Sequence, residues 1–530
     1  MNICIPGDSV TDVNVETQTE PRAAERPCAD SPSPRPSLRR MWRVWSVYGV
    51  GSILGRSIAF LLLPLYTRVL SPQEYGIRAM VALGLDVITL LVAFGLKEAI
   101  TRFYTGGRDD GGVCPEAAST GIIAHDTFIG AGIVAGLAFA PWLSGALLGD
   151  AALAPYLRLG LVSAFFLHAQ EAAFVYLRAR GRAGTVALAS LVNLVALVGL
   201  NLAFVVALRW GVAGIFYAEI IVYAVSGAVF TVRALREVGV RFEPDLVRRM
   251  VRYGTPLMFI PFSWIFVSRI DAMFLTHYGS LAFVGVYALA VQCAQVLQIA
   301  LIYPFQNFWD PTQFELARDP AAPRVFRRMF QWVTFTAVVA AFAVALAAED
   351  VIRVMAAPAF HGAADVVPLL VVTYVLLGMH LFFNAALLIR NRTGLVAVIA
   401  LVTSGVNVAA NALLVPLFLA AGAAIARIVA MTFMVAVTYA IGQRLWPQRP
   451  NFAALAKVSG WAIALFVASR WLPELPLPVV FVVKGSLVVA LVALSVWSHA
   501  VERADLVQGW SMLRGRLRRP RAVTDMVTPT

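Results

Sequence analysis

The chain has 530 residues, of which 60% are hydrophobic and only 14% charged, whereas a soluble domain runs about 45–50% apolar and about 25% charged. A mean hydropathy of +0.76 excludes a soluble globular fold of this size, so the chain reads as an all-α integral membrane protein. The net charge of +13 does not imply nucleic acid: the 40 Arg and 3 Lys lie mostly between apolar runs, as topology signals and attractors of anionic lipid do.

Residues 1–40 are rich in Pro, Ser, Thr, Asp, Glu and Arg and are expected to form a disordered cytoplasmic tail. No apolar stretch near the start predicts a cleavable signal peptide. Fourteen apolar segments follow, each long enough to cross a hydrocarbon core as a helix. They fall at about 45–66, 77–99, 119–141, 155–177, 183–208, 211–232, 253–275, 282–306, 329–348, 366–388, 395–416, 418–441, 453–471 and 477–499. Pro256 and Pro261 interrupt the seventh, and Pro304 the eighth. A basic cytoplasmic tail, 501–530, closes the chain. Cys4, Cys28, Cys114 and Cys293 have no metal-ligand spacing and imply no disulfide framework.

Charge tests this map. With the N-terminus in the cytoplasm, the tails and even-numbered connections carry 33 Lys and Arg, and the odd-numbered connections carry 6. A missed span would reverse the later loops, so a bias that holds to the end supports the count and puts both termini in the cytoplasm. The longest connection has about 20 residues, too few for a folded outer domain.

A weak internal repeat divides the spans. Tyr48-Gly49 corresponds to Tyr253-Gly254, Leu191-Val192 with Asn201 to Leu401-Val402 with Asn411, and Gly214, Ala218 and Ile220 to Gly422, Ala426 and Ile428. These offsets of 205, 210 and 208 residues predict two parallel six-helix lobes, 41–235 and 236–445. Two additional transmembrane helices occupy 446–500.

No P-loop, H-E-x-x-H, C-x-x-C or G-x-S-x-G motif is present, and neither a cofactor nor a metal is expected. The candidates are charges inside spans, each costing roughly 2.5–3.5 kcal/mol at the bilayer centre unless it finds a partner or cavity. Arg56 and Asp86, near mid-depth on spans one and two, either form a structural ion pair or line a hydrated central cavity. Arg269 and Asp271 on span seven point about 200° apart, so either one snorkels or both serve the cavity across a local break at Pro261. Glu219 and Arg427 occupy equivalent repeat positions and either latch an outer gate or are satisfied separately. His168 and Glu171, three apart on one face, suit a proton or cation site, or an interhelical hydrogen bond. Lys484 and Arg158 can snorkel. Gln292, Gln295 and Gln298, with Asn193, Asn201, Asn407 and Asn411, fit either interhelical glue or a polar lumen.

The segment Leu61-Leu-Leu-Pro-Leu-Tyr-Thr-Arg-Val-Leu-Ser-Pro-Gln-Glu-Tyr-Gly76 resembles the first-loop signature of Wzx-like polysaccharide flippases, in the multidrug/oligosaccharidyl-lipid/polysaccharide exporter superfamily. Arg252-Tyr-Gly-Thr-Pro256, Asp271, Gly285-Val-Tyr-Ala-Leu289 and Pro304-Phe-Gln-Asn-Phe-Trp-Asp-Pro311 extend the resemblance over about 41–445. Arg269 departs from it by standing two residues before Asp271 rather than directly after. The resemblance implies two lobes around a central cavity, and alternating access that carries a polyprenyl-diphosphate-linked oligosaccharide across the bacterial inner membrane. Arg56 is then the local candidate for the diphosphate, because a guanidinium pairs bidentately with phosphate oxygens. Implied partners are membrane lipids, a polysaccharide polymerase and glycosyltransferases.

Two other functions compete. A cation-coupled drug or small-solute exporter would favour acidic cavity residues over Arg. A membrane glycan polymerase or ligase would need a positioned base, usually on a sizeable outer loop, and the short connections count against it. The Arg-for-Lys and Ala/Val bias fits a GC-rich bacterial genome.

The topology is directly testable. Reporter fusions after positions 110, 240 and 515 should all read as cytoplasmic, and a periplasmic signal at any of them breaks the map.

Overall fold

The computed structural model describes residues 63–106, 113–317, 322–448, 450–471 and 476–498. No strand occurs among these residues, as expected where lipid offers no hydrogen bonds and each backbone group must be satisfied within its own segment. Eleven of the described helices are long and apolar enough to cross a membrane, or up to twelve when one bent pair counts as a span.

The described residues form two compact units. Their boundaries fall between Met80 and Val81 and between Phe262 and Ser263. The chain begins its described course with α1 (Leu63–Val69) and α2 (Pro72–Ala93). The first expected span, 45–66, lies outside the described residues apart from its end in α1.

Unit 1 continues through α3 (Leu96–Gly106), α4 (Pro115–Ala138), α5 (Ala140–Leu148), α6 (Ala154–Ala179), α7 (Ala183–Asn201), α8 (Gly211–Val238) and α9 (Pro244–Leu257). Proline stands in the first turn of α4, α5, α6 and α9, where its missing N–H removes no intrahelical bond. The core gathers Leu96, Ile100 and Tyr104 of α3, Ile122 of α4, Tyr176 and Leu177 of α6, and Met250 of α9. Tyr104 and Tyr176 meet edge to face at 5.4 Å between ring centres, a favoured aromatic geometry.

The structure starts the seventh segment earlier than its apolar run predicts. Residues 244–252 are too polar to read as a span, yet they form the first turns of α9. Leu246, Met250 and Gly254 recur every four residues and are buried, in a helix that packs on α3 and α4. Arg248, Arg249 and Arg252 occupy the intervening positions. Pro256 and Pro261 stand where α9 gives way to α10 (Phe259–Tyr278), each lacking the N–H that a helical hydrogen bond needs.

Unit 2 takes α10 from Ser263 onward, with α11 (Leu281–Ala294), α12 (Tyr303–Leu316), α13 (Ala322–Met355), α14 (Ala363–Ile389), α15 (Thr393–Leu445), α16 (Phe452–Ser469) and α17 (Leu477–Trp497). A π-type turn at Gln298–Ile302 separates α11 from α12, next to the expected break at Pro304. Trp309 is fully buried and stacks among Phe305, Phe326 and Phe382. Val458 and Ala462 of α16 and Leu491 of α17 pack against Phe335, Val338 and Phe342 of α13. Lys484, expected to snorkel, instead pairs with Asp350 at the far end of α13. Both side chains are largely buried, so the pair satisfies two charges that would otherwise be costly in lipid.

The 53 residues of α15 contain two expected spans, 395–416 and 418–441. Its backbone leaves helical geometry at Leu419, with φ 46° and ψ −121°. A Cβ on Gly422 would lie 2.2 Å from the Leu414 carbonyl oxygen, although residues eight apart in a straight helix are about 12 Å apart. The chain therefore turns back on itself here. The corresponding turn between α7 and α8 places Gly214 against the Phe204 backbone. Asn201 and Asn411 likewise each donate to the carbonyl four residues earlier.

Residues 63–76 of the signature segment pack within unit 2. A Cβ on Gly76 would fall 1.8 Å from the Leu281 oxygen, and one on Gly285 would fall 1.9 Å from the Pro72 oxygen. Each glycine lets the other's helix approach to backbone contact. Tyr75 donates to Gln292 at 2.5 Å. Thr67 and Arg68 donate to the Met355 and Val354 carbonyls, two of the terminal acceptors that a helix end leaves open.

Gly285→Ala should lower the melting temperature of the purified chain, at a cost of about 1–3 kcal/mol for overpacking. Gly199→Ala, whose Cβ meets nothing within 4 Å, should leave it unchanged or raise it. Equal melting of the two variants contradicts the contact.

Candidate functional site

The most deeply buried charges of unit 2 meet where three helices cross. Asp271 on α10 is 1% exposed and Arg427, in the second half of α15, is 6% exposed. The Arg427 Nη2 donates to Asp271 Oδ2 at 2.6 Å and to the Ser268 carbonyl. Tyr287 of α11 donates its hydroxyl to the same Oδ2 at 2.5 Å, while Oδ1 accepts from the Ala272 N–H. Both carboxylate oxygens are satisfied, and the Arg427 Nε remains buried without a hydrogen-bond partner.

Each component has a local origin. The α10 helix runs unbroken through 269–271, so Arg269 and Asp271 face apart, Arg269 exposed and Asp271 buried. The turn at Leu419 returns α15 along itself and brings Arg427 to α10. Around them, Asn407 donates to the Phe266 and Val267 carbonyls at 2.9 and 3.1 Å, and Ser404 donates to the Ser263 carbonyl at 2.9 Å. These amide and hydroxyl bonds hold α15 to α10. In unit 1, Asn193 of α7 plays the same part, donating to Gln170 of α6 and Ser226 of α8.

Unit 1 holds a second group of charges. Lys97 of α3 donates to Glu171 of α6 at 2.7 Å, and His168 Nδ1 lies 3.5 Å from the same carboxylate. His125 of α4 is fully buried, with its ring centre 6.2 Å from that of His168 and its Nδ1 3.1 Å from Asp126. Lys97 and Glu171 open onto a cavity of about 540 Å³, also lined by Glu98, Thr101, Val175 and Arg178.

The structure thus regroups the sequence candidates. Asp271 meets Arg427, although each had been matched with another residue. Glu219 accepts from Ser163 of its own unit at 3.1 Å. His168 and Glu171 share a face as their spacing predicts. Asp86 is half-buried on α2, and Arg56 lies outside the described residues. Sequence reasoning missed the roles of Tyr287, Lys97, His125 and Asp126. Tyr287 stands in the quoted Gly285–Leu289 motif, and Lys97 is one of only three lysines, so a signal existed for both.

Residues 41–316, just over half the chain, match the family described as Polysaccharide biosynthesis protein. No curated protein matches the chain in sequence. Among solved structures, the lipid II flippase MurJ in an inward closed conformation aligns with a TM-score of 0.64 at 11% identity, covering 88% of this chain and 99% of its own. An inward-facing multidrug resistance MATE family transporter of the MOP superfamily gives 0.60 at 18% identity, covering 76% and 96%. A mutant of the Vibrio cholerae MATE transporter VcmN gives 0.52 at 14%, covering 77% and 96%. At these identities the likeness is one of fold. The signature segment 61–76, the Gly285–Leu289 motif and the all-helical architecture converge with these matches: the chain belongs to the polysaccharide biosynthesis protein family and has the fold of the MOP-superfamily transporters.

Proposed function

We propose that the chain is a transporter that moves a polyprenyl-diphosphate-linked oligosaccharide from the cytoplasmic to the outer leaflet of the inner membrane by alternating access. The family match over 41–316 carries this reading, because that stretch includes the whole polysaccharide-flippase signature. The fold shared with a lipid II flippase along 88% of the chain supports it.

In this mechanism Arg56 contacts the diphosphate through its planar guanidinium, and Asp86 sets the orientation of that group. Arg269, exposed on α10, is a cation of unit 2 suited to phosphate. Asp271 acts indirectly: neutralised by Arg427, it keeps α10, α11 and α15 moving as one body. Glu219 belongs to the gate, and His168 and Glu171 to the coupling of the cycle. The lipid tail stays in the bilayer, so no enclosed cavity needs to hold the whole substrate. A polymerase and glycosyltransferases are the functional neighbours such a transporter serves.

The MATE-like fold also supports a cation-coupled exporter. That alternative needs a buried carboxylate ready to accept a free cation, and at Asp271 the Arg427 guanidinium already occupies that place. A polymerase or ligase has less support, since the connections are short.

The test is a double-mutant cycle read as glycan export per folded molecule. Arg56→Ala should reduce export by about tenfold or more, the value of a charge-assisted hydrogen bond, with the protein still in the membrane. Arg56→Lys should fail in part, retaining the charge and losing the fork. Arg56→Ala combined with Asp86→Ala should stay as low as Arg56→Ala alone. Recovery of export in the double variant makes the two residues a structural pair and removes Arg56 from the substrate site.

A further inference from the structure

Two turns of the chain carry the same charged motif. Arg180-Gly-Arg182 joins α6 to α7 in unit 1, and Arg390-Asn-Arg392 joins α14 to α15 in unit 2. Their offset of 210 residues is that between Asn201 and Asn411. Each turn ends its helix in the same way. The Arg182 and Arg392 N–H groups donate to the Leu177 and Leu387 carbonyls, and those of Gly181 and Asn391 to the Arg178 and Leu388 carbonyls. This pair of bonds requires a left-handed residue in the middle, and Gly181 and Asn391 have φ of 80° and 54°. The charge map assigns both turns to the cytoplasmic side.

What meets these arginines differs. In unit 1, Glu237 at the end of α8 accepts from Arg180 and, at 2.5 Å, from Arg182, with Arg233 at 3.4 Å. In unit 2, the 208-residue offset that relates Gly214 to Gly422 puts Arg444 and Leu445 where unit 1 has Arg236 and Glu237. Arg390 Nε reaches the matching place and donates to the Leu445 carbonyl at 3.2 Å. Arg390, Arg392 and Arg444 are all exposed, and among the described residues no carboxylate pairs with them. The elements beside them carry further charges of both signs. Asp310 and Glu315 stand on α12, and Arg327 and Arg328 on α13, both helices that pack on α14. Lys457 of α16 donates to the Ser498 carbonyl. Beyond Arg392, Leu395, Val398 and Val402 follow at helical spacing and are 36%, 56% and 48% exposed, an apolar face turned outward from unit 2. Unit 1 has a similar exposed face at Leu188, Val192 and Val195.

We propose that Arg390, Arg392 and Arg444 bind the phosphate of one anionic phospholipid of the cytoplasmic leaflet, with an acyl chain along Leu395, Val398 and Val402. A phosphodiester supplies the negative charge that Leu445 does not, and each guanidinium can meet two phosphate oxygens at once. Basic pockets between helices at the cytoplasmic surface favour such headgroups. The apolar face selects a lipid over a soluble anion, because only a lipid covers both parts. In unit 1, Glu237 already neutralises the arginines, so the same lipid gains little there. The site gathers the end of α14 and both ends of α15, and a bound lipid ties them together. It stands independently of the transporter reading.

Native mass spectrometry of the purified full-length chain, titrated in detergent with phosphatidylglycerol or phosphatidylcholine, counts the lipids it retains. Wild type should hold one phosphatidylglycerol with at least about tenfold preference over phosphatidylcholine, the value of a charge-assisted hydrogen bond. Leu445→Glu, which copies the carboxylate of unit 1, should abolish that preference, and so should Arg390→Ala combined with Arg392→Ala. Leu445→Glu leaves the arginines and their turn intact, so its result stands even where the double alanine variant unfolds. Glu237→Leu should do the reverse and add a second preferred phosphatidylglycerol in unit 1. A Leu445→Glu chain that prefers phosphatidylglycerol as wild type does overturns the site. Displacement of the lipid by millimolar inorganic phosphate also overturns it, because the arginines then hold a soluble anion without the apolar face. A Glu237→Leu chain that gains no second lipid overturns the comparison of units on which the site rests.

Discussion

Lipid offers no hydrogen bonds, so every polar group placed at membrane depth must be answered from within the chain. At Asp271 this answer is complete: Arg427 and Tyr287 serve one oxygen, and a backbone N–H serves the other. Replacing such a pair by apolar groups can be neutral, whereas breaking it strands a buried charge at about 3–5 kcal/mol. The interaction therefore fixes an arrangement more than it adds stability. It makes α10, α11 and the returning half of α15 interdependent, with the Asn407 and Ser404 bonds to α10 beside it. Lys484 and Asp350 apply the same solution to α17 and α13.

The helical layout was largely legible, because the apolar runs that lipid requires are the strongest signal a sequence carries. The division near 417 within one 53-residue helix was visible as two span-lengths, and the chain turns at Leu419. The kinks came from proline, whose chemistry is local. The start of α9 was hidden because its first turns are amphipathic, and only α3 and α4 make that face an inside. The His168–Glu171 pairing followed from a spacing of three. Its completion by Lys97 and His125 depends on tertiary packing, which no single-helix pattern encodes. Asp271 and Arg427 were each recognisable as costly in lipid, but 156 residues separate them, and the repeat matched Arg427 to Glu219 instead. Lys484 was misjudged because a long side chain near a span end usually reaches water, and here Asp350 lies within its reach.

The signature segment acquires a physical meaning. Its Gly76 meets the start of α11 at backbone level, Tyr75 reaches the Gln292 side chain, and Thr67 and Arg68 donate to carbonyls at the end of α13. Gly76 against Leu281 and Gly285 against Pro72 leave no room for a side chain. A motif that looks like a loop consensus is thus a docking surface for α11 and for the end of α13. The two units also treat charge differently. Unit 2 pairs its buried Asp271 with Arg427, while unit 1 pairs Glu171 with Lys97 beside a cavity.

The proposed activity is the movement of a lipid-linked glycan between leaflets by the chain itself. The most direct measurement reconstitutes the purified chain into vesicles containing a fluorescent polyprenyl-diphosphate oligosaccharide, with a membrane-impermeant quencher added outside. With transport by the chain, quenching should proceed past the fraction initially in the outer leaflet, at a rate that rises with protein per vesicle and falls in Arg56→Ala. Quenching that stops at the outer-leaflet fraction, as in protein-free vesicles, contradicts it.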